Sequence, residues 1–423
     1  MQPNVPNNTA LVRPRSLICS ISICHDDHSS CADCSHAPGV TLMDSFQLPP
    51  YAVRPFDHQG SSMQIWACAG CDQTLDFDNV LCAGCGTLLG FLPEDLRLVA
   101  LAPWQGEGLW RPLDRPDGPR YRHCGNRIEH EACNWMVAED DPEALCRACR
   151  LNRTIPDLDV GDNLQHWKRL EREKRRLVYG LLRLGLPVVD KRQDPDHGLA
   201  FDFLADPAPQ FREGPGVTTG HAGGLITLNV AEADHVVREN MRQEMAEPYR
   251  TILGHFRHES GHYYWDRLVR DSHWLGPVRG LFGDDRQDYG EALGRHYDQG
   301  PPSDWDATFV SRYASSHPWE DWAESWAHYL HIVDTLETAW QFGMRLEPRL
   351  EIADTMTVRT ARDPCRDMPF DAIINAWLPL THALNNLNRS MGQRDAYPFV
   401  LAEPALDKLR QVHEVIRGSV PSR

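Results

Sequence analysis

Apolar positions along the chain change their period from place to place. From Asn163 to Leu184, the residues Leu164, Trp167, Leu170, Leu177, Leu181 and Leu184 recur at helical spacing. Gly185 and Pro187 close that run. A stretch rich in Pro, Gly and Asp follows, and Gly224 to Val230 then reads as a strand. Residues 231–246 and 249–269 carry helical patterns, with Pro248 between them. A loop-rich insert runs from Ser272 to His317, and Trp319 to Leu336 is helical again. The tail to Arg423 is mostly helical, with breaks expected at Pro364, Pro369 and Pro379. Residues 63–155 are different: short strand-like runs, glycine turns and many cysteines. Residues 1–62 show little periodicity and are rich in Pro, Ser, Asn and His, which predicts a disordered extension. Met63 sits just before the first patterned segment, so translation starting there would lose little folded structure.

Composition narrows the function classes. The chain has 423 residues, 41% hydrophobic and 24% charged, within the ordinary globular range. Its net charge of −17 argues against a general nucleic-acid or anionic-membrane binder, which needs a basic surface. No apolar run approaches the roughly 20 residues that span a bilayer. The apolar stretch from Ser16 to Cys24 is brief and lacks a small-residue cleavage site, so it is a poor secretion signal. A cytoplasmic protein is the expectation.

Twelve of the thirteen cysteines fall into three groups, and without a signal peptide their Cys-x-x-Cys pairs read as metal sites. Cys68, Cys71, Cys82 and Cys85 form two such pairs, enough to close a tetrahedral zinc shell with no open position. The segment Leu75 to Asn79 between them looks like a hairpin. Cys124, Cys133, Cys146 and Cys149 form a second, less regular set, in which His123 or His130 is a possible substitute. Cys19, Cys24, Cys31 and Cys34 lie in the weakly patterned N-terminus, with His25, His28 and His36 nearby, and point to adventitious metal binding at most. Cys365 stands alone and reads as a buried, inert thiol.

The sharpest chemical signal is His258-Glu259-Ser-Gly-His262. Two histidines four apart share one face of a helix, so both imidazoles reach one metal ion. Glu259 points near the same ion and is placed to take a proton from a metal-bound water. Gly261 costs helix stability and suggests close packing, and His255 reads as supporting or structural. Two histidines leave zinc short of a third protein ligand. The glycine and histidine that metzincins place just downstream are Trp265 and Leu268 here, which excludes that class. A carboxylate on a later helix is expected instead. Glu320 and Glu324 lie one turn apart, so one can bind zinc while the other receives a hydrogen bond from a ligating histidine.

At these residues the chain resembles the gluzincin peptidases, and within them the lethal-factor-like group, which joins His-Glu-x-Gly-His to a later Tyr-x6-Glu-x3-Glu. The match falls on Tyr313, Glu320 and Glu324. The resemblance implies Glu320 as zinc ligand, which leaves Glu324 as the carboxylate behind a histidine, and Tyr313 as hydrogen-bond donor to the tetrahedral intermediate. From about Met63 the chain also resembles a bacterial family of zinc-binding metallopeptidases with an N-terminal zinc ribbon. The expected fold is α+β: a disordered extension at 1–62, a zinc-ribbon region at 63–155, and a mostly helical zincin-like peptidase domain at 156–423. The expected metals are one catalytic and two structural Zn²⁺, and the expected partner is a peptide or protein substrate. The strand ending at Val230 is expected to pair with an extended substrate at a sheet edge. A different class stays open: a zinc-ribbon binding or regulatory protein with a non-catalytic zinc site. The intact Glu259 speaks against it, since a structural site needs no base.

Overall fold

The computed structural model describes residues 65–105, 108–206, 219–244, 251–349 and 356–420. The N-terminal extension and its cysteine–histidine group lie outside these residues. The first described elements are β1 (Trp66–Ala67) and β2 (Thr74–Leu75), an antiparallel pair that closes over the Cys68–Cys71 knuckle. An isolated bridge between Leu81 and Leu88 closes the Cys82–Cys85 knuckle in the same way. The hairpin expected at Leu75–Asn79 is a turn instead. Asn79 N–H donates to Asp76 O and the Asn79 side chain accepts from Asp76 N–H, so the segment closes on itself before any strand can form.

A five-stranded antiparallel meander follows: β3 (Leu89–Leu92), β4 (Arg97–Pro103), β5 (Leu109–Pro112), β6 (Tyr121–His123) and, after helix α1 (Gly125–His130), β7 (Met136–Ala138). Next come β8 (Asn152–Thr154) and α2 (Asn163–Arg183), whose apolar stripe of Trp167, Leu170, Leu177 and Leu181 is buried. Gly185, at φ +75°, takes the left-handed turn that stops α2.

A four-stranded sheet in the order β10-β11-β9-β8 comprises β8, β9 (Ala200–Leu204), β10 (Gly220–Ala222) and β11 (Leu225–Asn229). β11 runs parallel to β9 and antiparallel to β10. β11 is therefore an interior strand and cannot accept a substrate strand as expected. Among the described residues the free edge on that side is β10.

Helices dominate from there. A 3₁₀ turn at Val230–Ala233 leads into α3 (His235–Glu244), and α4 (Ile252–Tyr264) continues into a π turn at Trp265–Val269. The insert expected to be loop-rich contains α5 (Leu275–Phe282) and α6 (Tyr289–Gln299). α7 (Pro318–Gln341) is the central helix, packed on α4, on α8 (Phe370–Ser390) and on α9 (Glu403–Ser419). Pro379 lies inside α8 and does not break it. Pro379 is itself buried, as are Ile373, Ile374, Trp377 and Leu380 around it, and that packing outweighs the one lost backbone hydrogen bond. No described helix is long and apolar enough to cross a membrane.

The architecture is α+β, a β-rich N-terminal region followed by a largely helical one, and the two share a core. Phe77 and Phe91 from the β-rich part meet Tyr179 of α2 at ring distances of 5.4 and 6.0 Å. Arg175 of α2 is 6% exposed and donates to Ala132 O at 2.5 Å. Burial alone would lower its pKa, but the sulfurs of Cys133 and Cys149 and the carboxylate of Glu171 outweigh that and hold the guanidinium charged.

Candidate metal centre

Helix α4 begins where Thr251 caps it: the Thr251 hydroxyl accepts from Gly254 N–H at 2.9 Å. One turn further on, His258, Glu259 and His262 all lie buried. Gly261 shares their helix and faces α7. A Cβ added there would sit 2.9 Å from Ala323 Cα, so only glycine allows this approach of the two helices. Trp322 Nε1–H donates to Gly261 O at 2.9 Å and Trp326 Nε1–H to Ser260 Oγ at 3.1 Å, which fixes their relative height.

Helix α7 starts at Pro318, with the His317 side chain as cap: its Nδ1 accepts from Trp319 N–H at 3.0 Å. Its Nε2 faces Gln287 O at 3.2 Å, which assigns the proton to Nε2. Glu320 and Asp321 occupy the first turn, where the helix dipole favours carboxylates.

The crossing brings His258, His262 and Glu320 together, with one ligand atom from each inside 4.8 Å of the others. Glu320 Oε2 lies 3.0 Å from His258 Nε2 and 3.5 Å from His262 Nε2. This oxygen is buried and has no hydrogen-bond partner. An orphaned carboxylate oxygen facing two imidazole nitrogens is costly unless a cation sits among them. Two imidazoles and one carboxylate also suit zinc by donor type, and the set leaves a coordination position open. The residues therefore fit the metal.

Glu324, one turn along α7, stands behind His258, with Oε1 2.7 Å from His258 Nδ1. Its other oxygen accepts from Ser311 Oγ at 2.5 Å. Ser311 Oγ in turn accepts from Ala314 N–H at 3.1 Å, which ties Glu324 to the 3₁₀ turn Tyr313–Ser316. Burial would raise the Glu324 pKa, but the His258 hydrogen bond and charge outweigh it and bring it down to about 2. Burial would likewise lower that of His258, but Glu320 and Glu324 hold it well above the usual imidazole value.

Tyr313 stands at the mouth, its ring 5.9 Å from that of His258. Burial first, and then Glu320, raise its pKa, so its hydroxyl stays protonated and able to donate. Beside it, the Tyr289 hydroxyl donates to Glu320 Oε1 at 2.7 Å. Glu259 is 6% exposed beside His258. His262 Nδ1 has no hydrogen-bond partner among the described residues, and its ring is held instead by Trp319 at 4.1 Å and His221 of β10 at 6.2 Å. His255 is not among the clustered ligands and pairs instead with Glu232 at 2.5 Å.

The cysteines form two further clusters. Cys68, Cys71, Cys82 and Cys85 offer four sulfurs within ligand reach of one another, as do the fully buried Cys124, Cys133, Cys146 and Cys149. Neither His123 nor His130 takes part; His123 lies against Trp110 and His130 against Trp167. Cys365 is buried, as expected, beside Glu337 and Asp363, but Arg183 already bonds both carboxylates.

Tyr289, Ser311 and the His317 cap escape sequence reasoning. Asp288 with Glu291 signals the start of α6, yet nothing local shows that Tyr289 reaches a residue 31 positions away.

Known proteins agree with this layout. Residues 65–160 match a family model described as a zinc-ribbon domain, and residues 163–415 match one described as "Putative zinc-binding metallo-peptidase". A Mycobacterium bovis protein and its counterparts in two Mycobacterium tuberculosis strains, all described as uncharacterized, are 44% identical over 360 residues, 85% of this chain and 97% of theirs. No solved structure matches. With the peptidase model spanning well over half its length and the ribbon model filling the region before it, the chain belongs to this zinc-ribbon-bearing family of zinc-binding metallo-peptidases.

Proposed function

We propose that the protein is a zinc-dependent peptidase, with His258, His262 and Glu320 as the ligands of its open zinc site. The observation that carries this reading is the buried, unpartnered Glu320 Oε2 facing the two imidazole nitrogens. A zinc ion held there would supply a Lewis acid for the scissile carbonyl and would lower the pKa of a bound water to about 7.

The chain's own residues do the rest. Glu324 takes the Nδ1 proton of His258 as a hydrogen bond and so turns the Nε2 lone pair towards the site. Glu259 accepts the proton of the attacking water and passes it to the leaving amine. Tyr313 donates a hydrogen bond to the oxyanion as it forms. The roles of Glu320 and Tyr313 are those that the gluzincin resemblance implies. An extended peptide would lie along β10, whose His221 ring neighbours His262, and pair with the edge that is unpaired among the described residues. Burial, reinforced by His262, Arg270 and Lys191, brings the His221 pKa down to about 3, so this wall of the cleft stays uncharged.

We assign the two four-cysteine clusters as closed, structural zinc sites, and residues 63–155 and 156–423 as the ribbon and peptidase parts. Reduced thiol clusters of this kind suit a cytoplasmic location. The test is whether cleavage of a peptide library requires both the open-site zinc and Glu259.

A further inference from the structure

Glu320 has two oxygens in different circumstances. Oε2 faces the imidazole nitrogens with no hydrogen bond, whereas Oε1 accepts from the Tyr289 hydroxyl at 2.7 Å. Tyr289 comes from outside the two helices that carry the histidines and glutamates. It is the first residue of α6, directly after the Asp288 cap, whose carboxylate accepts from Glu291 N–H at 2.8 Å. The cap sets where that helix begins and therefore where the phenol stands. His317 and Trp319 hold its ring edge-on at 5.3 and 5.9 Å. The residue is 39% exposed, so it forms the rim of the site rather than its floor.

A carboxylate with both oxygens free can grip a cation through one of them or through both. Gripping through both would occupy room around the ion that a catalytic zinc site must leave for water. A phenol that donates to one oxygen makes that oxygen a poorer ligand and fixes the plane of the carboxylate.

We propose that Tyr289 is a positioning residue that restricts Glu320 to one-oxygen ligation and thereby keeps the water position of the zinc site open. The idea rests on Glu320 being a zinc ligand, as proposed above. It gives the segment between the zinc-facing helices a function: α6 supplies the clamp on the ligand, and the turn after it supplies Tyr313.

The experiment uses the full chain with its open site emptied by a mild chelator and refilled with Zn²⁺ or Co²⁺. Partners behind metal ligands typically contribute about 10–100-fold to metal affinity. Tyr289→Phe is expected to change open-site zinc affinity by up to about that factor and to dim the cobalt d–d bands, as a four-coordinate ion gains a fifth contact. Tyr313→Phe, which removes a hydroxyl that bonds no ligand atom directly, is expected to bind zinc like wild type. A wild-type cobalt spectrum in Tyr289→Phe, whatever its zinc affinity, would overturn the proposal. So would a zinc-free Tyr289→Phe protein that melts well below zinc-free wild type, since Tyr289 would then act on folding. Glu320→Ala separates the two levels: if it keeps zinc at full affinity, the ligand set and the clamp fall together.

Discussion

Tyr313 and Glu259 are the side chains assigned to touch reacting atoms, and they differ in what a change should do. Removing one oxyanion donor typically costs about 10²–10³ in kcat. Tyr313→Phe is expected to lose about that much with KM and zinc content nearly unchanged, because the hydroxyl acts mainly in the transition state. Steady-state kinetics beside metal analysis checks this, and a wild-type kcat would remove Tyr313 from the mechanism. The sequence pattern was informative here where the spacing is local. His258, Glu259 and His262 lie within two turns of one helix, and Glu320 and Glu324 repeat that geometry 62 residues later. Ser311 and Tyr289 were invisible because their partners, Glu324 and Glu320, lie 13 and 31 residues away with no periodic link.

The crossing of α4 and α7 sets every distance in the centre, and Gly261 lets them approach. Gly261→Ala gains about 1 kcal/mol of helix propensity, but a Cβ 2.9 Å from Ala323 Cα must push the backbones apart. Overpacking of this kind costs about 1–3 kcal/mol. The variant is expected to melt below wild type and to bind open-site zinc more weakly. A higher Tm would show that the helices do not meet so closely. Helices were legible as elements because their apolar stripes are long: α2 was expected over residues 163–184 and spans Asn163–Arg183. Sheet order was not legible. The apolar alternation of β11 marks a strand, but an interior strand and an edge strand share that pattern, and β10 has only three residues. Pro379 misled because a helix buried on both sides of a proline can absorb it.

Across the whole molecule, several neutral histidines are built into the fold. Burial, reinforced by Arg417 and Arg410, lowers the pKa of His413 from 6.5 to about 4. Burial and then Arg127 do the same to His123. Unfolding releases these rings to take up protons, so between pH 6.5 and about 4 the unfolded chain binds more protons than the folded one. Stability is then fully present above pH 6.5 and falls as pH drops towards 4, by on the order of 1 kcal/mol per ring after solvent screening. Urea unfolding at pH 7 and pH 5 reads this directly, and His413→Gln should flatten the slope. A midpoint independent of pH over that window would contradict it.

This fold is proposed to assemble a zinc site around a catalytic base. The ribbon–peptidase order was readable from the cysteine spacing and the histidine pair, whereas the core shared by Phe77, Phe91 and Tyr179 was not, because it joins residues about 90–100 positions apart. The most direct measurement is the rate of peptide-library cleavage by wild type and by Glu259→Gln, each with its open-site zinc quantified. The account expects wild type to cleave, to stop on chelation and to resume with Zn²⁺, and Glu259→Gln to hold its zinc yet fail to cleave, because an amide cannot accept the proton. Cleavage at the wild-type rate by zinc-loaded Glu259→Gln, or none by zinc-loaded wild type, would contradict it.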